Sequence, residues 1–187
     1  MTLDQPASDA ELDAIEAHID DWLQRQLDEN PILVAVDRGE PGERRWYVRL
    51  RGEEKDVTTV WFTLGQRTLQ YETYVLPAPP ENHAQFYEHL LRRNHRLVGA
   101  QFSIGPEDAV FLVGSIPVTT LDEDALDRVI GSLYATVEQC FRPALRIGFP
   151  AWAGGPPPPP QPADSDRKKG PEIAKNSDQN RGGSALS

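Results

Sequence analysis

The chain has one cysteine and one methionine among its 187 residues. With Cys140 alone, no intrachain disulfide can form, which points to a reducing compartment. No apolar run approaches the ~18 residues that a membrane helix needs. The amino terminus, MTLDQPASDAELD, has neither the basic segment nor the apolar core of a signal peptide. The expectation is a soluble, cytoplasmic protein with no membrane partner. Positive charge is also scarce, with 19 Lys and Arg against 29 Asp and Glu, a net charge of −10. Nucleic-acid binders take most of their affinity from clustered basic side chains on phosphates, so no nucleic acid is expected either.

The parts of a catalytic centre are missing too. His18, His83, His89 and His95 lack metal-ligand spacing, since His83 and His89 lie further apart than the roughly three or four residues that bring helix ligands together. Ser132, after Gly131, lacks the second glycine of a nucleophile elbow and falls in mid-helix. Gly105 and Gly114 make no phosphate loop. Cys140 falls on the apolar stripe of a helix, where a thiol is inert packing. The sequence therefore reads as no enzyme, with no catalytic residue, metal or cofactor.

What it does carry is a strong strand signal over residues 44–76, RRWYVRLRGEEKDVTTVWFTLGQRTLQYETYVL. Successive strand side chains point to opposite faces. Trp46, Val48, Leu50, Val60, Phe62, Leu64, Leu69, Tyr71, Thr73 and Val75 therefore share an inner face. Tyr47, Arg49, Arg51, Thr59, Trp61, Thr63, Gln70, Glu72 and Tyr74 share the outer one. The breaks at Gly52-Glu53-Glu54-Lys55-Asp56 and Gly65-Gln66 read as hairpin turns, the first a solvated loop. An antiparallel meander follows.

Before the meander, Ser8 and Glu11 have capping-box spacing. Leu12, Ile15, Ile19, Trp22, Leu23 and Leu27 then recur as an amphipathic stripe. The opposite face, Asp13, Glu16, Asp20, Asp21, Asp28 and Glu29, reads as solvated, with a site for a basic partner as the alternative. Asn30-Pro31 ends this helix, and residues 32–36 suit a short leading strand. After the meander and Pro77-Ala78-Pro79-Pro80, a helix is expected over about 81–93, with Phe86, Tyr87, Leu90 and Leu91 facing the sheet. Its basic end, Arg92, Arg93, His95 and Arg96, complements the negative end of the helix dipole, or else binds an acidic peptide.

Strands follow at 98–104 and 109–116. The second, AVFLVGSI, is apolar on both faces and so belongs inside the sheet or under a helix. Thr120 and Glu123 repeat the capping-box signature before a helix that buries Leu126, Val129, Ile130, Leu133, Val137, Cys140 and Phe141. Pro143 should end or kink it. The expected fold is α+β, an antiparallel sheet with helices in the order α-β-β-β-α-β-β-α. Residues 1–150 are the domain. Residues 151–187 read as a disordered proline-rich tail, too poor in large apolar side chains to order itself, with its five prolines a stiff linker.

The stretches GEEKDVTTVWFTLGQRTLQYETYVLPAP, YEHLLRRNHRL, IGPEDAVFLVGSIP and LDRVIGSLYATVEQCFRPALRIGF resemble the YbjN-like family of bacteria in its actinobacterial form, over residues 32–149. The resemblance implies a fold like that of type III secretion chaperones, a place among candidate sensory-transduction regulators, and binding of a protein or peptide client, commonly as a homodimer. It implies no catalytic residue.

Tyr47, Arg49, Arg51, Trp61, Glu72 and Tyr74 on the outer face combine aromatics and arginines as interface centres do, and they are the expected partner-binding residues. Trp61→Ala should then weaken partner capture with little loss of stability, unless a helix crosses that face and buries the rings. Aromatics beside arginines also stack RNA bases, but the acidic balance and the lack of a [KR]-G-[FY]-[GA]-F-V-x-[FY] segment oppose that use. The functional expectation is a non-catalytic, chaperone-like or regulatory protein-binding module, with a structural dimerisation domain of a regulatory assembly as the alternative.

Overall fold

The computed structural model describes residues 6–152. The first capping box forms as expected: Ser8 Oγ accepts from the Glu11 N–H at 3.4 Å, and the Glu11 carboxylate accepts from the Ser8 N–H at 2.8 Å. Two orphan donors are thereby satisfied, and the Ser8 N–H, with the Ser8 hydroxyl as a second donor at 2.8 Å, holds the Glu11 carboxyl below its usual range. The helix they open, α1 (Asp9–Glu29), buries Leu12, Ile19, Trp22 and Leu23. Asn30, extended before Pro31, closes it.

The leading strand is present as β1 (Leu33–Arg38). After it come β2 (Arg45–Arg51), β3 (Val57–Leu64), β4 (Thr68–Leu76), α2 (His83–Asn94), β5 (Ala100–Ile104), β6 (Val110–Pro117) and α3 (Glu123–Gly148). The strands form one antiparallel sheet in the order β1-β2-β3-β4-β6-β5. The strand that is apolar on both faces, β6, is interior, as expected. The inner face of the meander, Trp46 through Leu76, joins residues from all three helices in the main core. Each large side chain buried there contributes roughly 1.5–3 kcal/mol, which makes the helices integral to the fold.

The acidic face of α1 is only partly solvated. Arg44 reaches Asp13 at 2.6 Å and Glu16 at 3.0 Å, Arg38 pairs with Glu16 and lies 3.2 Å from Asp20, and Trp46 Nε1 donates to Asp20 at 2.6 Å. These side chains clamp the helix to the β1–β2 hairpin, so half of the acidic face has an intramolecular use. Asp21, Asp28 and Glu29 are exposed.

Three local expectations are corrected. Leu91 is exposed, and only Phe86 and Leu90 of α2 are buried outright, because the helix rests on the edge of the sheet and on α3. Thr120 caps no helix: it sits in a 3-10 turn, its hydroxyl donating to the Pro117 carbonyl, and Asp122 caps α3 by accepting from the Ala125 N–H at 2.7 Å. Of the two outcomes expected at Pro143, an end or a kink, the end does not occur, and α3 continues to Gly148. Beyond the proline, Ala144, Gly148 and Phe149 are buried, and that burial outweighs the lost backbone bond. Of the expected tail only Ala151 and Trp152 are described, and the rest lies outside the described residues. Trp152 closes a 3-10 turn and stacks on Phe149 with ring centroids 4.9 Å apart.

Candidate protein-binding face

Strand register sets the outer face. Asp37, Tyr47, Trp61, Glu72, Val113 and Gln101 pair in succession and form one row across all six strands. Tyr74 and Phe111 are paired one step along the strands. Of the six residues expected to bind a partner, Tyr47, Trp61, Glu72 and Tyr74 are thus brought together. Arg49 lies beside them, paired to Asp37 at 2.7 Å. Arg51 stands apart at the end of β2, opposite Val57.

Among the described residues no helix contributes to the cluster on this face, yet its aromatics are not displayed. Trp61 is 9% exposed, Tyr74 6% and Phe111 3%, and with Ala109 they form a second apolar cluster, against which Tyr47 and Val113 pack. The rings of Trp61 and Phe111 lie 6.2 Å apart, and Tyr74 meets Phe111 edge-on at 5.6 Å. The β5–β6 turn sits against Phe111, since a Cβ on Gly105 would come within 2.5 Å of that ring. Burial, with Glu107 nearby, pushes the Tyr74 hydroxyl up to about 12. Trp61 and Tyr74 are therefore a foundation, and Tyr47, Arg49, Arg51 and Glu72 are the accessible part. Phe111 and Ala109 were missed from the sequence, although the apolar character of β6 on both faces was the signal for them. A groove of about 740 Å³ runs beside the row and includes Arg45, Gln70, Glu72, Gln101 and Ser115 in its lining.

The β2–β3 loop is not the solvated turn its charges suggest. Its backbone N–H groups at Glu53, Glu54 and Lys55 donate to the Glu138 carboxylate of α3, the first two at 2.8 Å and the third at 3.3 Å. Arg142 pairs with Glu54. Lys55 is buried, donates to the Tyr74 carbonyl and lies 5.1 Å above the Tyr74 ring. That carbonyl is available because β3–β4 pairing stops at Thr73 and β4 bulges against β6 between Tyr74 and Leu76. Burial pushes the Lys55 amine down to about 7, against smaller opposing effects of Cys140 and Glu138. Gly52 is needed here, as a Cβ would meet the Lys55 carbonyl at 2.2 Å and the Glu138 carboxylate at 2.5 Å.

The outer edge of β5 is closed by a side chain. Asn94, the last residue of α2, accepts from the Phe102 N–H at 2.7 Å and donates to the Phe102 carbonyl at 3.3 Å. Both groups of Phe102 thus point away from β6, and the amide takes the place a neighbouring strand would occupy. The basic end of α2 is partly used inside the protein, Arg92 with Glu88 at 2.8 Å and Arg93 with His89 at 3.3 Å. Burial and Arg93 hold His89 below its usual range. Burial pushes the Cys140 thiol up to about 12. Among the described residues, no three His, Cys, Asp or Glu side chains gather as a metal ion would require, and no helix is long and apolar enough to cross a membrane.

The YbjN family model, described as "Putative bacterial sensory transduction regulator", matches residues 17–146. The chain is 33% identical over 128 residues to an uncharacterized protein of Mycobacterium leprae, covering 68% of this chain and 70% of that one. It is also 33% identical over 102 residues to uncharacterized proteins of Mycobacterium bovis and Mycobacterium tuberculosis, covering 54% of this chain. These matches span 56% of the length of each of those two relatives.

Proposed function

The chain belongs to the YbjN family, and from that premise we propose a non-catalytic protein-binding module, regulatory or chaperone-like, that takes its partner on the face of the sheet opposite the three described helices. One observation carries the reading. All three helices send their buried side chains to the same core on the inner face, and the cluster on the outer face draws only on strands and one turn. A sheet covered on one side ordinarily turns polar residues to solvent on the other. Here the uncovered side has an aromatic foundation beneath Tyr47, Arg49, Arg51 and Glu72, the residue types of interface centres. The partner is a protein or peptide in the cytoplasm or a second copy of the chain, and neither nucleic acid nor membrane is required. A structural dimerisation domain would use the same face.

Crosslinking with affinity capture tests this, comparing the wild type with a Tyr47→Ala/Arg51→Glu double variant and with Arg128→Glu on exposed α3 surface. The double variant should lose at least about tenfold in capture, the size of one lost anchor of ~1.4 kcal/mol, and Arg128→Glu should lose none. Crosslinks that map to the helices, or capture unchanged in the double variant, would defeat the reading. Light scattering on the purified protein separates the two kinds of partner, since only the dimerisation reading requires self-association.

A further inference from the structure

We propose that the β2–β3 loop, residues 52–56, is a proton-linked latch: it seats against α3 and the Tyr74 ring when the Lys55 amine is neutral and loosens as that amine takes up a proton. The geometry is specific. A loop carrying Glu53, Glu54, Lys55 and Asp56 would ordinarily stand in water, but here three successive N–H groups converge on one carboxylate, Glu138. Lys55 turns inward beneath them to the Tyr74 carbonyl. A neutral amine is adequately housed here by one carbonyl acceptor, and the Tyr74 ring face is the contact that favours the ammonium. As an ammonium it has two further protons to satisfy in a site closed to water.

The charged surroundings decide the sign. On α3, Glu138 is the nearby carboxylate, but its oxygens are already occupied by the loop amides, and Arg142 is drawn to Glu54. Cys140, also on α3, stays a neutral thiol at physiological pH, its proton held by burial with Arg93 of α2 and Lys55 itself as smaller opposing influences. On β4, Tyr74 remains protonated, with Glu107 of the β5–β6 turn beside it. Among these groups Glu138 is therefore the one anion facing the amine, and burial prevails.

The seated amine titrates at about 7, whereas the released, solvated one has the ordinary value of 10.5. Release binds a proton throughout the window between these values, so seating strengthens as pH rises through it and is level below it. Because Lys55 lies over the Tyr74 ring, release uncovers one edge of the outer aromatic cluster. The latch itself is independent of the protein-binding reading and is measured with no partner present.

Hydrogen exchange at Glu53, Glu54 and Lys55 in the full chain, corrected for the intrinsic chemical rate, reads the latch directly. From pH 9 to pH 7 the wild type should lose protection by roughly fiftyfold, and by less than about twofold more from pH 7 to pH 6, as linkage between the two values requires. Lys55→Met should flatten the profile. Glu138→Gln should lower protection at every pH while keeping the slope between pH 9 and pH 7, with the fall continuing further below pH 7 because the seated amine loses a nearby anion. A flat wild-type profile, or an unchanged slope in Lys55→Met, would overturn the proposal. Should Lys55→Met fail to fold, the titration of the Lys55 amine in wild type, followed by NMR, decides in its place: a midpoint above about pH 10, the ordinary solvated value, overturns it.

Discussion

Trp61 shows how one side chain can be correctly aimed and still misjudged. Alternation along β3 sends it to the face opposite the helices, and the register confirms its place beside Tyr47 and Glu72. Whether it is exposed depends on Phe111, which arrives from β6, and on the turn that precedes that strand. No local pattern in β3 reports either. Trp61→Ala is therefore expected to destabilise the protein by about 3 kcal/mol, the lower end for truncating a buried Trp, where the sequence suggested little loss. Trp61→Phe, which preserves most of the ring contact, should cost much less. Urea unfolding of both variants checks this, and equal midpoints for wild type and Trp61→Ala would mean the ring contributes nothing to the fold. Lys55 was illegible for a related reason. Its charge and its glycine neighbour describe a solvated turn, and the carboxylate that reverses that reading, Glu138, lies 83 residues further along the chain.

Elements were far more legible than contacts, because a period of two or of 3.6 is written in the segment itself. The stripe of α1, the meander and the burial of α3 all followed from it, whereas ends of elements depended on details with several solutions. The cap of α3 is an example: Thr120 and Asp122 both precede Glu123, and Asp122 wins because its carboxylate meets the Ala125 N–H. Sheet edges depend on such details too. β5 reads Ala-Gln-Phe-Ser-Ile, with none of the charges or prolines that usually blunt an edge, and Ile104 at its end is exposed. Its protection comes from Asn94 alone among the described side chains bonded to its backbone. Asn94→Ala should therefore open the Phe102 N–H and C=O to another strand. The expected outcome is concentration-dependent association by light scattering, together with a loss of about 1–3 kcal/mol for the unsatisfied groups. A variant that remains as dispersed as wild type at high concentration would show that the amide does not guard the edge.

On the scale of the whole molecule, α2 and the end of α3 are joined by an aromatic series that runs past the expected domain limit. Tyr87 meets Phe86 edge-on at 5.3 Å, Phe86 meets Phe149 at 6.0 Å, and Phe149 is stacked by Trp152 at 4.9 Å and 22°. Phe149 is almost completely buried, and the Trp152 N–H donates to its carbonyl at 2.8 Å. The change in composition from about Ala151 suggested a boundary at residue 150, because a lone Trp among glycines and prolines gives no periodic signal. We include Trp152 in the cooperative unit on the strength of this stack. A chain ending at Phe149 should be less stable than one ending at Trp152 by about 1–2 kcal/mol, from a stacked pair worth ~0.5–1.5 kcal/mol and the apolar area re-exposed with it. Both truncations keep every strand and helix, so denaturant slopes should agree while the midpoints differ. Coincident midpoints would return the boundary to residue 150 and leave Trp152 a passenger on the surface of Phe149.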